Sequence, residues 1–478
     1  MTFFMDSKTV LDIFKQITRI PRESGHEAPM TAFLQEFAAS RSLNCKTDET
    51  GNVLITKEAS PGKEDVPTLV LQGHQDMVCE KVAGSSHDFL KDPIDYVIED
   101  GWMIAKETTL GADDGIGIAA GLALLESDLP MGRIECLFTI SEETGMDGAM
   151  ALEEGFFDGK VLINLDSEEE GEFCIGCAGG VNTVARFHYS TENCRADWKR
   201  LSLKIDGAKG GHSGDDITYH RLNTVPAMAS FLLGELPYGL QLFLIKGGGK
   251  HNALSRDCEV HIAVPDADAT IARFLSYGEE KKKEYAADEP DIRFTASRDN
   301  SNDKAIDAFT CENLLRSLTT CPHGVITMSP DIEGLPETST NLASVRMVEK
   351  GVITVTTSQR SSVTSECRKI AAAVAKNFAA AGAECEHFSE YPGWKPNMNS
   401  HVLEVCVESY RKLFHKDPIV KAIHAGLECG LFLEKFPGLD MISFGPTLKG
   451  VHAPGERMDL KSLDIFVAHL TDVVCNYR

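Results

Sequence analysis

Positive charge is what this sequence is shortest of: 47 lysines and arginines stand against 72 aspartates and glutamates, a formal net charge of −25. Such a field repels phosphate backbones and anionic lipid, so neither nucleic acid nor a membrane is expected as a partner. Long apolar runs are missing too. Tracts such as "IGIAAGLALL" fall well short of the roughly 20 residues that a bilayer span needs. The opening "MTFFMDSKTVLDIF" lacks the basic start, apolar core and small-residue cleavage site of a secretory signal, and a cytoplasmic protein is the expectation. No second C-x-x-C completes a zinc ribbon with Cys174 and Cys177 in "GEFCIGCAGG". The 14 cysteines sit mostly in apolar segments such as "IECLF" and "LEVCVES", the pattern of reduced, buried thiols. Cys174 and Cys177 are accordingly read as structural, with a redox or metal role as the minor alternative.

A chain of 478 residues exceeds one ordinary core, and two or three domains are expected. Helical periodicity in "SKTVLDIFKQITRI" and "APMTAFLQEFAASRS" precedes the strands "NVLITKEA" and "TLVLQGH". The buried helix "GIGIAAGLALLES" and the strands "RIECLFTIS" and "KVLINLD" follow. Helices alternating with apolar strands indicate an α/β layer fold. From about residue 186 the order becomes strand, helix, hairpin, helix, and a similar order recurs after "DIRFTAS", which reads as a duplicated α+β unit. The α/β style returns after "YPGWKPN". The expected architecture is a three-layer α/β domain with a mixed sheet, split into residues 1–185 and 390–478, with an α+β domain inserted at 186–389.

The chemistry gathers where strands of the split domain finish. In "LVLQGHQDMVCE", His74 and Asp76 are two apart, so a strand points both side chains the same way. A ligating imidazole usually gives its other N–H to a carboxylate, which suits this pair. "TTLGADDGIG" presents Asp113 and Asp114 before a helix, "TISEETGMDG" presents Glu142 and Glu143 after a strand, "LINLDSEEE" presents Asp166, and "FGPTLKGVHAPGE" presents His452 in a late loop. Each has a dull explanation in capping, a solvated turn or a charged loop. Taken together, each at a strand-to-loop switch, they offer mixed N and O donors for two zinc ions.

These stretches, with "GCAGG", "KGGHSG", "YPGWKPN" and "HAGLECGLF", resemble the aminoacyl-histidine dipeptidases of the peptidase D type, over nearly the whole chain. That family belongs to the dinuclear zinc metallopeptidases, with tripeptidase T, carnosinases and aminoacylases. The resemblance implies a hydrolase that cleaves unblocked dipeptides, Xaa-His and carnosine-like ones among them. It implies that His74 and Asp166 hold one zinc, Glu143 and His452 the other, and that Asp113 bridges the two; cobalt or manganese are the alternatives. Asp76 would orient His74, and Glu142 would be the general base. A cis peptide is implied after Asp113; at Asp114 this chain departs from its relatives, which carry asparagine. In the inserted domain His212 resembles a residue aimed at the scissile carbonyl, Asn252 a polar contact there, and Arg360 the clamp for the substrate carboxylate, the domain closing over the metals. Glu428 is read as the receiver of the substrate's amino terminus, with a structural salt bridge as its alternative.

Other classes fit less well. Gly115, Gly117 and Gly121 make a faint glycine-rich helix start, but an acidic pair beside it would repel a nucleotide's pyrophosphate. A non-catalytic binding protein would be expected to lose ligands or base, and none is missing. The closer competitor is an N-acyl amino acid deacylase using the same metals. The expected partner is a small peptide substrate, and a homodimer is left open beside a monomer.

Overall fold

The computed structural model describes residues 4–301 and 303–478. The chain divides into two compact units, one of Met1–Cys177, Trp394–Ala422 and Leu427–Arg478, the other of Ala178–Gly393 and Ile423–Gly426. Among the described residues no helix is long and apolar enough to cross a membrane.

The first unit is built on an eight-stranded mixed sheet in the order Asn44–Thr47, Val53–Lys57, Ile134–Thr139, Leu69–His74, Val161–Asn164, Asp440–Ser443, Glu172–Cys177, Ile419–Ile423. From Ile134–Thr139 to Asp440–Ser443 neighbouring strands run parallel, with antiparallel neighbours on either side. The central strands read as unbroken apolar runs because both faces of the sheet are covered. Leu69, Leu71, Ile134, Cys136 and Ile163 share one core with Phe14 of the helix Ser7–Ile17, Ile116 of the helix Ala112–Glu126 and Phe466 of the helix Leu460–Asn476. The intervening Val70, Leu137 and Leu162 are equally buried outside that cluster, on the opposite face as a period of two requires. This is the mixed α/β class expected.

Topology then fixes where a site can form. The chain leaves Leu69–His74, forms the helix Ala112–Glu126, returns as Ile134–Thr139 on one side and later as Val161–Asn164 on the other. Strand order reverses there, and open α/β sheets bind ligands beyond the carboxyl ends at such a point. His74, the pair Glu142 and Glu143, and Asp166 all follow these ends.

The second unit carries an antiparallel sheet in the order Arg293–Arg298, Lys199–Asp206, Cys258–Val264, Gln241–Gly248, Pro336–Glu349, Val352–Ser361, Gly179–His188, Glu384–Tyr391. Numbered along the chain within each half, both halves read fourth, first, third, second from their outer edges, and the two second strands pair at Gly247↔Val345. The duplicated α+β unit is therefore visible in the topology, but its second copy begins at Gly179–His188, ahead of the whole first copy. "DIRFTAS" supplies the outer strand of the first copy. Gly179–His188 also runs through residue 186, where sequence character alone put the boundary; the division lies at Cys177 and Ala178. A strand paired with residues more than 150 positions away carries no local mark of its partner.

Candidate metal centre

Three strand ends, the start of the helix Ala112–Glu126 and one late loop bring five side chains of the first unit together. His74 Nε2 lies 2.9 Å from Asp113 Oδ1 and 3.5 Å from Asp166 Oδ1. His452 Nε2 lies 3.0 Å from Asp113 Oδ2 and 2.9 Å from Glu143 Oε1. Two groups of donors share Asp113, His74 with Asp113 and Asp166, and His452 with Asp113 and Glu143, and a third joins His74 to Glu142 and Glu143; within each the donors lie within 4.8 Å of one another. Asp113 faces each of its two groups with a different oxygen.

The local backbone is bent to achieve this. Ser141, before the short helix Glu142–Gly145, and His452 adopt positive φ of 51° and 63°, uncommon for residues with a side chain and concentrated at functional sites. The peptide bond between Asp113 and Asp114 is cis, as the resemblance implies. Asp76 is buried beneath the groups. His74 Nδ1 lies 3.2 Å from its Oδ1, Ser24 Oγ donates to its Oδ2 at 2.8 Å, and the backbone N–H groups of Glu142 and Glu143 donate to the two oxygens at 3.0 and 3.2 Å. Burial alone would push the Asp76 carboxyl up, but the His74 hydrogen bond and charge outweigh it and hold it down to about 2. Asp76 thus stays ionised, and it ties the His74 strand end to the helix carrying both glutamates.

The electrostatics call for cations. The hydrogen bonds to the carboxylates of Asp113 and Glu143 push His452 up to about 11. Burial would depress His74, yet the Asp166 charge and the bonds to carboxylates raise it well above its ordinary range. Burial also raises Glu142 and Asp166 well above the usual carboxylate range. Four carboxylates are crowded here, and protons on the histidines stand where divalent ions would supply the positive charge. Each group offers one nitrogen and two oxygens and leaves room for a further ligand, a donor set that fits zinc. Glu142, by contrast, has no hydrogen bond or ion pair to its carboxylate among the described residues, although its donor lies within 4.8 Å of those of His74 and Glu143.

Asp114 is the odd member. Its Oδ1 accepts from the Gly117 N–H at 3.1 Å, while Oδ2 is buried without a partner. Burial raises its pKa well above the usual range, so the folded state holds a proton that the unfolded chain releases more readily. Stability from a raised carboxyl is present below the unfolded pKa and is lost as pH rises toward the folded one. In metal-free protein Asp114→Asn is therefore expected to raise Tm by about 2–4 °C at pH 8 and by less at pH 5; an equal shift at both pH values contradicts this reading.

Glu428 is only 1% exposed, with Oε2 accepting from Gln72 Nε2 at 2.6 Å and Thr139 Oγ1 at 2.9 Å and Oε1 buried without a partner. Burial pushes its carboxyl up to about 7. It joins Gln72 and Thr139 in a buried polar network. Among the described residues it forms no salt bridge.

The second unit holds its own constellation. Arg360, 7% exposed, donates from Nε to Ser213 Oγ at 3.3 Å and from Nη1 to Tyr391 Oη at 3.0 Å, and its Nη2 lies 3.4 Å from His212 Nε2. His212 Nδ1 lies 3.1 Å from Asp215. Asn252 is beside them, its carbonyl oxygen accepting from the Ser213 N–H at 2.9 Å. Sequence reasoning missed His424, whose Nε2 lies 2.7 Å from Ser339 Oγ and which burial, helped by the Arg360 charge, pushes down to about 4. Its signal was its place in "IHAGLECGLF". Cys174, Cys177 and Cys429 are buried, and burial pushes the Cys177 thiol up to about 12.

A profile of Peptidase family M20/M25/M40 matches residues 70–476. The chain belongs to this family. The M20 peptidase is 37% identical over 467 residues to the cytosol non-specific dipeptidase of Escherichia coli (strain K12), covering 97% of this chain and 96% of that one. It superposes on the crystal structure of aminoacylhistidine dipeptidase from Vibrio alginolyticus with a TM-score of 0.91 and 36% identity, covering 98% of each chain. Aminopeptidase PepT from Bacillus cereus, with a TM-score of 0.62 and 17% identity over 98% of each chain, shares the fold.

Proposed function

We propose that this M20 peptidase is a two-metal dipeptidase that hydrolyses unblocked dipeptides, zinc being the ion its donors suit best. The observation that carries the reading is Asp113, which faces a histidine-carboxylate group with each oxygen. His74 and Asp166 would hold one ion, Glu143 and His452 the other, and Asp113 both. Bound there, such ions supply an acidified water and a Lewis acid for the scissile carbonyl. Asp76 fixes the His74 ring, since one ring nitrogen faces Asp76 and leaves the other to the donor group. Glu142, unbonded and shifted upward by burial, takes the proton of the attacking water and passes it to the departing amine. Arg360 receives the free carboxylate of the substrate in a two-bonded fork, held by Ser213 and Tyr391, and His212 with Asn252 contacts the carbonyl that gains charge in the transition state.

The names of the two similar dipeptidases support dipeptides over N-acyl amino acids, Xaa-His among them, and a cytoplasmic location. Purified protein assayed on free dipeptides, N-acetylated dipeptides and tripeptides, with metal analysis alongside, tests this. Turnover of free dipeptides with about two equivalents of zinc is expected, and removal of metal by a chelator is expected to abolish it until zinc returns. Faster turnover of the N-acetylated compounds points to the deacylase. Light scattering decides between a monomer and the homodimer.

A further inference from the structure

Arg22, in "PRESGHE", is 2% exposed and among the described residues makes no hydrogen bond to a carboxylate. Its Nη1 donates to the carbonyl oxygens of Gln75 at 2.9 Å and Asp76 at 2.5 Å, and its Nη2 donates to the carbonyl oxygen of Gly111. Burying a guanidinium is costly, and carbonyl dipoles offset only part of that cost. Glu456, also 2% exposed, answers it from the opposite polarity. Its Oε2 accepts from the N–H groups of Leu110 at 2.7 Å and Gly111 at 3.1 Å, and its Oε1 accepts from that of Ala112 at 2.9 Å. The turn 110–112, directly before Asp113, is thus held by its N–H groups from the loop that carries His452 and by a carbonyl from the guanidinium that also holds the residues after His74.

The glycines around Asp113 make room for this arrangement. A Cβ on Gly111 would stand 2.6 Å from Arg22 Nη2, and one on Gly115 would stand 2.7 Å from it. Gly111 also has a φ of 68°, which a side chain would strain.

We infer that Arg22 and Glu456 are positioning residues that hold the His74, Asp113 and His452 loops in register, so that the donors of both groups are converged before any ion arrives. The inference rests on the reading of these donors as metal ligands. Groups that fix the orientation of ligands typically govern affinity by ten- to a hundredfold. Arg22→Lys keeps the charge and loses the planar fork, and Glu456→Gln keeps the shape and replaces an acceptor with a donor facing backbone N–H groups.

The test titrates metal-free parent, Arg22→Lys and Glu456→Gln with cobalt(II) against a chromophoric chelator, recording the visible ligand-field spectrum and, separately, kcat and KM. Cobalt binding weakened at least tenfold with a changed ligand-field spectrum in both variants is expected, kcat falling more than KM rises. Parent-like affinity and spectrum with only a lower Tm would assign both residues to packing and overturn the inference. A variant that stays unfolded even in saturating cobalt overturns it as well, since its role is then in the core. A parent that takes up no cobalt sinks the metal reading itself, which is a different failure.

Discussion

Glu142→Ala is expected to lower kcat by about a thousandfold while leaving metal content near that of the parent. General acid–base groups contribute roughly 10²- to 10⁴-fold, and among the described residues this carboxylate makes no hydrogen bond although it lies within 4.8 Å of the His74 donor. Glu143→Ala differs by a single position and is expected to lose metal as well as activity, because Glu143 Oε1 is already 2.9 Å from His452 Nε2. Metal analysis of the two variants after the same dialysis, beside their kcat values, separates base from ligand. Equal loss of metal in both would reverse the assignment. In the short helix Glu142–Gly145 both N–H groups are anchored on Asp76, which fixes the backbone from which the two side chains leave.

Arg360→Ala is expected to cost about a hundredfold in kcat/KM on dipeptides with a free carboxylate and to change little on their C-terminal amides. A hydrogen bond to a charged group is worth about 1.5–3 kcal/mol, and the guanidinium fork can make two. The carboxylate is charged in ground and transition state alike, so the loss falls mainly on KM. His212→Ala, removing a contact to an oxygen that gains charge only during attack, is expected to act mainly on kcat. Kinetics on one dipeptide and its amide decide the point: if Arg360→Ala keeps the parent's discrimination between them, the carboxylate is held elsewhere. Arg360 sits in strand Val352–Ser361 and is 7% exposed, so it is no loose surface arginine of a hairpin.

The tertiary structure changes some residues' meaning and leaves others as the local pattern suggests. His74 and Asp76 are legible from spacing alone, because a strand's period of two acts within three residues. The helix Ala112–Glu126 is equally legible, since fourteen of its fifteen residues are buried and its sequence is apolar on every side. The burial of Glu428 is hidden for the opposite reason. A glutamate in a loop motif looks available, and only its bonds to Gln72 and Thr139, 356 and 289 residues away, show it enclosed. The duplication is legible in element order but not in membership, because the first strand of the second copy is separated from its helix by the entire first copy. Arg22 and Glu456 escape notice because their partners are backbone atoms, which carry no sequence signature.

The sequence by itself determined the residue types at strand ends, the alternation of helix and strand, and a composition that turns away from anionic partners. These follow from local periodicity and from counting charge. Only the tertiary structure decided that His452 meets Asp113 and Glu143 across 339 and 309 residues, that among the described residues Glu142 rather than Glu143 is left without a hydrogen-bond partner, and that a buried arginine braces the turn before Asp113. Those outcomes depend on which distant surfaces pack together, and on the cost of leaving a buried polar group unpaired, which no short stretch of chain contains.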